Sequence, residues 1–561
     1  MAEQDNKVHP YVPKLAEQAR DGKVDRREFL RTATLLGLSA TSAYGVLGLA
    51  DPFVKPARAA TVPGSIYRMA MRVPALENPA TYSWAYDSLS ARLVCDYLTR
   101  TGADNVTRPW LVEKWDATED IKTWTLHLRQ GVKWSNGDPL VADHVIWNMK
   151  RWIDPAVGSS ILGLMASYMT VDVESGEKDA TGKPKMTKKM WDANAIEKID
   201  DHTIRINCRV PQLAVPEHLF HYPALILHPS ENGKFGKGSI GTAPYSMVEY
   251  EVGKKVVAKA RQGYWGKPVA IETFEIIDLG DDPGATVAAL AAHQVDGMYE
   301  ADISQIEVLK QMDHLKMYSV TSAQTAVARM QPQHEEWKDP RVRKAMRLAL
   351  DTTKLLQLAH AGIGAPGEHH HAAPVQPDYV KLPFLAQDIP GAKKLLAEAG
   401  KPDGFKTEIF CKKDPPWESV CVQAMAEMWK QIGVDVKVNV LPSTQYWDIW
   451  NAPTAGFAFT SWTHRPLSIM LYGLAYRTGA VWNESFWSNK DFDENLTKAE
   501  GIYELDKRKE VMKVLEQIML DDGPAIIPLW RGMTTFHDKK LQGFQEHPTS
   551  YWFAEDLSIS T

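Results

Sequence analysis

Cysteine is scarce in this chain and occurs 4 times among 561 residues. So few cysteines exclude a small scaffold built on disulfides. Neither Cys95 nor Cys208 has a partner at a spacing typical of metal ligands, so we expect both to be buried small hydrophobes. Cys411 and Cys421 are close enough along the chain to close a short disulfide loop in an oxidising compartment, and the sequence leaves open whether they do.

The chain also lacks an excess of charge of one sign. It has 64 basic and 70 acidic side chains, for a formal net charge of −6. Without a dominant basic block there is no electrostatic footprint for a nucleic-acid partner. Hydrophobic residues make up 44% and charged residues 24%, and the mean hydropathy is negative, which excludes a polytopic membrane protein and a disordered chain alike. The length indicates more than one domain.

Common catalytic motifs are missing as well. The sequence has no His-Glu-x-x-His zinc motif, no Gly-x-Ser-x-Gly elbow, no phosphate-binding loop and no Cys-x-x-Cys pair. Carboxylates are plentiful, but no spacing singles out an acid–base pair. We therefore predict that the chain is not an enzyme and needs no cofactor. An exported cofactor enzyme is the remote alternative.

The first sixty residues have the pattern of a targeting signal. Residues 25–31 (DRREFLR) precede a weakly apolar run over 33–50, and the small-residue tripeptide 57–59 (ARA) follows. This order predicts a cleavable signal peptide over 1–60 that stands apart from the fold. Arg26 and Arg27 resemble the pair of a twin-arginine export signal, although Asp25 stands where that signal usually has Ser or Thr. An uncleaved membrane anchor and an ordinary amphipathic helix are the alternatives.

Hydrophobic periodicity predicts several elements of the remaining chain. Apolar residues alternate over 124–128 and predict a half-buried strand, and helical spacing follows over 142–152. Asp339 and Pro340 begin a second helix as cap and first-turn proline. The strand at 406–411, a helix ending before Gly433 and the alternating valines of 434–440 form a βαβ unit, so at least one domain is α/β with parallel strands.

These segments together resemble the extracellular solute-binding protein family 5, the peptide, nickel and opine receptors of ABC importers. The main match is residues 124–139 (WTLHLRQGVKWSNGDP). Shorter matches follow the family's order along the chain: 77–79 (ENP), 241–245 (GTAPY), 264–266 (YWG), 339–345 (DPRVRKA) and 392–400 (AKKLLAEAG). Each match is weak by itself, but the ordered set is specific and covers essentially everything after Ala60.

The resemblance implies a two-lobed α/β fold, a type II periplasmic binding protein of cluster C, with a hinge and an extra domain inserted in the first lobe. The implied boundaries are 61–102, 225–317 and 525–561 for the first lobe, 103–224 for the inserted domain, and 318–524 for the second lobe, here called lobe III. Such a receptor encloses its ligand in a cleft that closes by hinge bending.

The implied function is capture of a small solute in the periplasm and its delivery to the membrane permease of an ABC transporter. A peptide or an opine-like amino-acid conjugate is the solute that the resemblance favours, and a nickel or other metal chelate and an oligosaccharide are the alternatives. The resemblance implies one further partner, the twin-arginine translocase during export. It also implies a monomer, since such receptors are usually monomers.

The site residues follow from the resemblance and from one departure. Peptide receptors of the family have a Trp-x-x-Asp segment whose carboxylate binds the peptide α-amine, and the matching residues here are Trp462, Thr463, His464 and Arg465. The charge at the last position is inverted, and a guanidinium prefers a carboxylate or phosphate. The sequence therefore predicts an anionic group on the ligand. The alternative is that Arg465 forms an ion pair between the lobes.

Other aromatic and polar residues are candidates for the cleft walls. Arg477, Trp482 and Asn483 lie in a loop that contains glycine and tryptophan, and Tyr82 and Trp84 lie in an early segment that faces the cleft in relatives. Packing at the surface is the alternative for each.

The run His369, His370 and His371 invites a metal interpretation. Adjacent histidines in regular structure cannot all point at one ion, so we predict no metal site there.

Overall fold

The computed structural model describes residues 9–51, 61–178, 182 and 184–560. The predicted cleavage tripeptide and the expected start of the mature chain near Ala60 lie outside these residues. The helices are α1 (Tyr11–Arg20), α2 (Arg26–Leu35), α3 (Ala40–Val46), α4 (Asp87–Ala91), α5 (Ala142–Ile153), α6 (Ser160–Met169), α7 (Val215–His218), α8 (Pro283–Ala291), α9 (Ile306–Leu309), α10 (Pro340–Leu348), α11 (Thr352–His360), α12 (Ile389–Glu398), α13 (Pro416–Trp429), α14 (Ser443–Ile449), α15 (Ser468–Ala475), α16 (Lys490–Glu500) and α17 (Leu505–Asp521).

The strands are β1 (Val62–Ala70), β2 (Thr99–Thr101), β3 (Thr107–Pro109), β4 (Val112–Ala117), β5 (Thr123–Leu128), β6 (Thr170–Lys178), β7 (Pro184–Met190), β8 (Ile196–Asp200), β9 (Thr203–Asn207), β10 (Tyr245–Glu251), β11 (Lys255–Ala260), β12 (Ile271–Ile277), β13 (Gly297–Met298), β14 (Leu315–Thr321), β15 (Thr325–Met330), β16 (Gly364–Pro366), β17 (Phe405–Lys412), β18 (Val434–Leu441), β19 (Phe457–Trp462), β20 (Ala525–Ile526), β21 (Leu529–Asp538), β22 (Leu541–Gln542) and β23 (Ser558–Ile559).

Two mixed sheets form the centres of the two lobes. The first has the order β10-β11-β12-β1-β13-β21-β14, with β16 paired to β21, and the second has the order β18-β17-β19-β15-β20. The chain passes directly from one sheet to the other at two places with short connections, from β14 to β15 and from β20 to β21. Because β14 pairs with β21 and β15 pairs with β20, the two crossings lie side by side. Such a pair of short crossings is the geometry of a hinge.

The predicted elements of lobe III are present. β17 and β18 are parallel and joined by α13, which confirms the βαβ unit. Gly433 ends that connection with φ of 80°, a conformation that residues with a Cβ rarely adopt. Asp339 caps α10 by accepting a hydrogen bond from the Arg341 N–H. Crossing strands β14 and β20 end a few residues from the boundaries predicted at 317/318 and 524/525.

A smaller sheet has the order β4-β5-β9-β8. Its strands lie within the predicted inserted domain, between the first and second segments of the first lobe in the sequence. It contains the predicted strand of residues 124–128, and α5 follows as predicted. The GTAPY segment packs tightly within the first lobe: a Cβ added at Gly241 would come within 1.8 Å of the Val94 carbonyl oxygen. Only glycine permits this close approach.

The sequence predicts an N-terminal segment that stands apart from the fold. In the structure this segment is instead packed against the rest of the chain. α1, α2 and α3 pack against the protein body, and Leu15, Phe29 and Leu35 are buried in one continuous core with the inserted domain. Burial of these apolar side chains stabilises the packed arrangement. Whether the same residues also direct export stays a prediction.

Candidate functional site

The carboxyl ends of neighbouring strands in lobe III meet at one edge of its sheet. β17 is parallel to both β18 and β19, so Lys412, Leu441 and Trp462 end their strands at that edge. In α/β sheets, ligands bind at the carboxyl ends of parallel strands. The edge faces the first lobe and the inserted domain through the segment 462–465, which follows β19 directly.

Two of the predicted residues at this edge, Trp462 and His464, are held by specific partners. Trp462 donates its indole N–H to Glu484 at 2.9 Å. Burial lowers the pKa of His464 well below its ordinary value, so the neutral ring accepts the Ala323 N–H at Nδ1, 3.0 Å away. Its Nε2–H then donates to the Asn105 Oδ1, also at 3.0 Å. His464 therefore connects the hinge crossing at Ala323 to the inserted domain.

Arg465 extends from lobe III to the inserted domain and is 3% exposed. Its guanidinium donates to the backbone carbonyls of Thr463 and His464, to the Thr463 hydroxyl and, at 3.4 Å, to the Tyr222 hydroxyl. It also lies 5.4 Å from the centre of the Tyr222 ring. Burial raises the pKa of Tyr222 to about 12, so its hydroxyl stays protonated.

In the part of the chain that the structure describes, the polar partners of Arg465 include no carboxylate, and its Nε has no hydrogen-bond partner. The expected alternative, an ion pair between the lobes, is therefore replaced by contact with a neutral tyrosine. A buried guanidinium without a counter-charge is costly unless a further group compensates it. This arrangement fits a site that receives a ligand anion.

A row of tryptophans crosses the cleft from one lobe to the other. Trp84 of the first lobe lies 5.3 Å from Trp447, and Trp447 lies 5.9 Å from Trp450. Trp482 continues the row, with its ring 6.4 Å from Trp450 and 6.0 Å from Trp462. The contacts are edge-to-face, an arrangement that favours aromatic pairs beyond their buried area.

Lys412 places a second positive charge beside this row. Its ammonium lies 5.5 Å and 5.2 Å from the ring centres of Trp84 and Trp447. The same ammonium pairs with the buried Glu418 at 2.9 Å and donates to the Ser461 hydroxyl at 3.1 Å. Unlike Arg465, Lys412 thus has a carboxylate partner.

The remaining predicted wall residues have partners within their own lobes. Tyr82 is buried and donates its hydroxyl to the Leu76 carbonyl. Arg477 pairs with Glu500 at 2.7 Å. Asn483 donates to the backbone carbonyl of Trp487 at 2.8 Å and thereby braces its own loop.

A cavity of about 380 Å³ lies where the loop 477–481 faces α6 and β6 of the inserted domain. Arg477 is therefore at a boundary between lobe III and the inserted domain. Three of the charged residues around this cavity are in ion pairs: Lys188 pairs with Asp172 at 2.7 Å, and Arg477 pairs with Glu500.

The three adjacent histidines are buried and point to different partners. His369 accepts the N–H of Ile527 in the second hinge crossing, and the Nδ1 of His371 lies 2.5 Å from the Tyr476 hydroxyl. The Nδ1 of His370 is 3.9 Å from Glu516. Positive φ angles at His369 and His371 turn successive side chains apart. Over the described residues, no group of three or more metal-ligating side chains comes together.

All four cysteines are buried thiols, so the loop between Cys411 and Cys421 is not closed by a disulfide in this structure. Burial raises the pKa of the Cys411 thiol to about 12. Both thiols are thus uncharged and unreactive at neutral pH.

Several residues of the site carry no distinctive sequence signal. Glu484 and Glu418 are buried acids among many exposed ones, and Tyr222 and Trp447 fit ordinary core patterns. Lys412 had a usable signal, because it directly follows the strand predicted at 406–411 in a parallel sheet.

Comparison with known proteins supports the two-lobed fold. The chain is 23% identical over 477 residues to the dipeptide-binding protein DppE of Bacillus subtilis, covering 82% of this chain and 85% of DppE. It is similar in structure to DppA, an ABC transporter-associated periplasmic binding protein of Helicobacter pylori in complex with the peptide STSA, with a TM-score of 0.72, 18% identity and coverage of 89% and 98%. It is also similar to NikZ of Campylobacter jejuni in complex with Ni(L-His), with a TM-score of 0.74, 20% identity and coverage of 89% and 100%.

Among the described residues, no helix is both long and apolar enough to span a bilayer. Residues 106–484 match the family described as "Bacterial extracellular solute-binding proteins, family 5 Middle". That match includes the strand β5, the hinge crossing at 322–324 and the site segment 462–465. The chain therefore belongs to the bacterial extracellular solute-binding proteins of family 5.

Proposed function

We propose that this chain is the solute receptor of an ABC importer and that it binds a small peptide-like or opine-like solute through a carboxylate. The observation that carries the proposal is the buried guanidinium of Arg465, which has no carboxylate partner among the described residues. A solute carboxylate would supply the missing counter-charge. The bond would be charge-assisted and could be bidentate.

The neighbouring groups support a solute with an apolar or aromatic part. The row from Trp84 to Trp482 offers ring faces and edges on both sides of the cleft. An uncharged oligosaccharide would use these rings but would leave Arg465 without a counter-charge. A peptide or an amino-acid conjugate satisfies both features, and so the arrangement favours it.

Closure of the lobes would complete the site. The two crossings at 322–324 and 527–528 are the short connections about which lobe III can rotate. In this structure His464 and Arg465 already contact the inserted domain. Solute that makes contacts on both sides shifts the equilibrium towards the closed state. Binding and release, rather than a reaction, is the activity that we propose.

The proposal includes export to the periplasm through the twin-arginine translocase, where the receptor would act as a monomer and deliver solute to the permease. Arg26 and Arg27 are exposed in the first turn of α2 and therefore accessible on the folded chain. Changing both to lysine should leave unprocessed protein in the cytoplasm, because an ammonium cannot replace the guanidinium fork. Normal periplasmic maturation of the double variant would refute this route.

The solute itself provides the test of function. Purified protein is denatured mildly, the released small molecules are identified by mass spectrometry, and each is titrated back by calorimetry. We expect a carboxylate-bearing solute whose amidated form binds at least about tenfold more weakly, since the neutral amide loses the charge-assisted bond. A tightly bound solute without any anionic group, or equal affinity of the acid and the amide, would contradict the proposal.

A further inference from the structure

Residues 9–51, with helices α1, α2 and α3, lie along the seam between the inserted domain and lobe III. We call this segment the N-terminal strap. Its apolar side chains belong to the same continuous core as residues of both neighbours. The strap is thus an intramolecular partner of two bodies whose relative movement opens and closes a receptor of this fold.

On one side the strap is bound to the inserted domain. The Tyr44 hydroxyl donates to the Asp104 carboxylate at 2.7 Å, and the Trp115 indole N–H donates to the Leu35 carbonyl at 3.0 Å. Gly37 packs against the same tryptophan, where an added Cβ would come within 3.0 Å of the Trp115 carbonyl oxygen. These contacts fix the middle and the end of the strap.

On the other side the strap is bound to lobe III. The rings of His9 and Tyr11 lie 4.5 Å and 5.2 Å from the ring of Tyr503. Glu28 forms an ion pair with Lys509 of α17. The strap therefore contacts the beginning of α17 through both apolar and charged groups.

One side chain contacts both bodies at once. The guanidinium of Arg31 donates to the Val375 carbonyl of lobe III at 3.3 Å and to the Asp104 carbonyl of the inserted domain at 3.5 Å. Arg31 is 6% exposed. Separation of the two bodies would break at least one of these bonds and leave a buried charge with fewer partners.

The strap also reaches the candidate site through one short loop. Asp104, which accepts bonds from the strap, directly precedes Asn105, whose side chain accepts the His464 N–H at 3.0 Å. Asn105 has φ of 58°, so the chain turns sharply between the two contacts. The same loop is therefore held by the strap on one side and by the cleft on the other.

We propose that the N-terminal strap holds the inserted domain against lobe III, so that a chain carrying the strap stays closed and opens only when the strap is displaced. This function does not depend on which solute the receptor binds or on how the chain is exported. The alternative is that the strap packs passively and has no effect on opening.

The test compares the full chain with Arg31→Ala and with Arg20→Ala, a matched control that removes an exposed arginine from helix α1 of the same strap. All three proteins are freed of solute by mild denaturation and refolding. Amide exchange and small-angle scattering are then measured. We expect Arg31→Ala to exchange about tenfold faster than the other two proteins over 104–119 and 503–509, the change that follows from loss of hydrogen bonds to a buried charged group. Its radius of gyration should increase.

Equal exchange rates and radii in all three proteins would overturn the proposal. If Arg31→Ala fails to fold, a second arm decides: a specific protease site placed within residues 52–60 of the otherwise unchanged chain is cut after folding, and the strap is washed off. An increased radius of gyration after the wash supports the proposal. An unchanged radius after complete removal of the strap refutes it.

Discussion

Removing one member of the buried pair Arg329 and Glu484 should strongly destabilise lobe III. Arg329 is 1% exposed at its side chain and Glu484 is 4% exposed, and the Arg329 Nε lies 3.1 Å from the carboxylate. Glu484 also accepts the Thr460 hydroxyl at 2.6 Å and the Trp462 indole N–H at 2.9 Å. One carboxylate therefore organises two strands, β15 and β19, and orients a tryptophan of the site.

The substitution Glu484→Leu removes the charge and leaves Arg329 buried without its acid. Breaking a buried pair in this way costs about 3–5 kcal/mol of the free energy of unfolding. The orphaned donors of Thr460 and Trp462 are part of that loss and do not add to it independently. Replacing both members, Arg329→Met with Glu484→Leu, removes the uncompensated charge, so the double variant should be more stable than the Glu484→Leu variant.

Native-state amide exchange of β15 and β19 measures these free energies locally, which avoids assuming that the two lobes unfold together. Glu494→Ala is the matched control, because Glu494 forms an exposed pair with Lys490 and its loss should leave the exchange of β15 and β19 unchanged. The reasoning is refuted if the losses of the two single variants add within about 0.5 kcal/mol in the double variant.

Two further predictions concern pH. Burial lowers the pKa of His218, His369 and His537 to about 3. Between pH 6.5 and 3 the unfolded chain therefore binds more protons than the folded one. The free energy of unfolding should fall as pH falls through that window, by about 1.4 kcal/mol per pH unit for each histidine. Urea midpoints measured at pH 7 and pH 5 check this, and a midpoint that does not fall at pH 5 would contradict it. Burial raises the pKa of Glu516 to about 9, so the folded chain binds the extra proton between pH 4.5 and 9 and stability should fall as pH rises through that range. Glu516→Gln should remove that loss of stability at pH 8, whereas Glu510→Gln, at an exposed position of the same helix, should not. Equal stability of the two variants at pH 8 would show that Glu516 is ionised in the folded chain.

Local patterns were sufficient to predict the elements that hydrophobic periodicity dominates. The strand β5, the helix α10 with its Asp339 cap and the βαβ unit around α13 all follow from spacing within a short window. In each, one face is apolar at the period of the element, and nothing distant in sequence is needed to bury it.

The site was predictable only in part, because burial and pairing are tertiary properties. The position of Arg465 followed from a family motif, but its tyrosine partner lies 243 residues away in the chain. Glu484 cannot be distinguished from exposed acids until β15 places Arg329 beside it. The predicted wall residue Tyr82 has its hydroxyl paired within the first lobe. Its prediction rested on a segment that faces the cleft in relatives, and such a resemblance does not show which contacts a side chain forms.

The N-terminal segment shows a different limit. Its weakly apolar run and paired arginines fit a targeting signal, and targeting signals are recognised by composition. Composition does not reveal that Phe29 and Leu35 have a complementary apolar seam to occupy. Packing against a surface assembled from two other domains leaves no local trace in the sequence.

The most direct test of solute binding through Arg465 is calorimetric titration of the solute identified by mass spectrometry into the wild type, Arg465→Ala and Arg465→Lys, with the exposed Arg341→Ala as control. Loss of a buried charge partner costs about 2–5 kcal/mol, so Arg465→Ala should bind about thirty-fold or more weakly while its apo melting temperature stays nearly unchanged. Arg465→Lys should recover only part of the affinity, because an ammonium lacks the planar fork. Equal affinities for all four proteins, or an Arg465→Ala variant that unfolds without solute, would show instead that Arg465 is a structural residue.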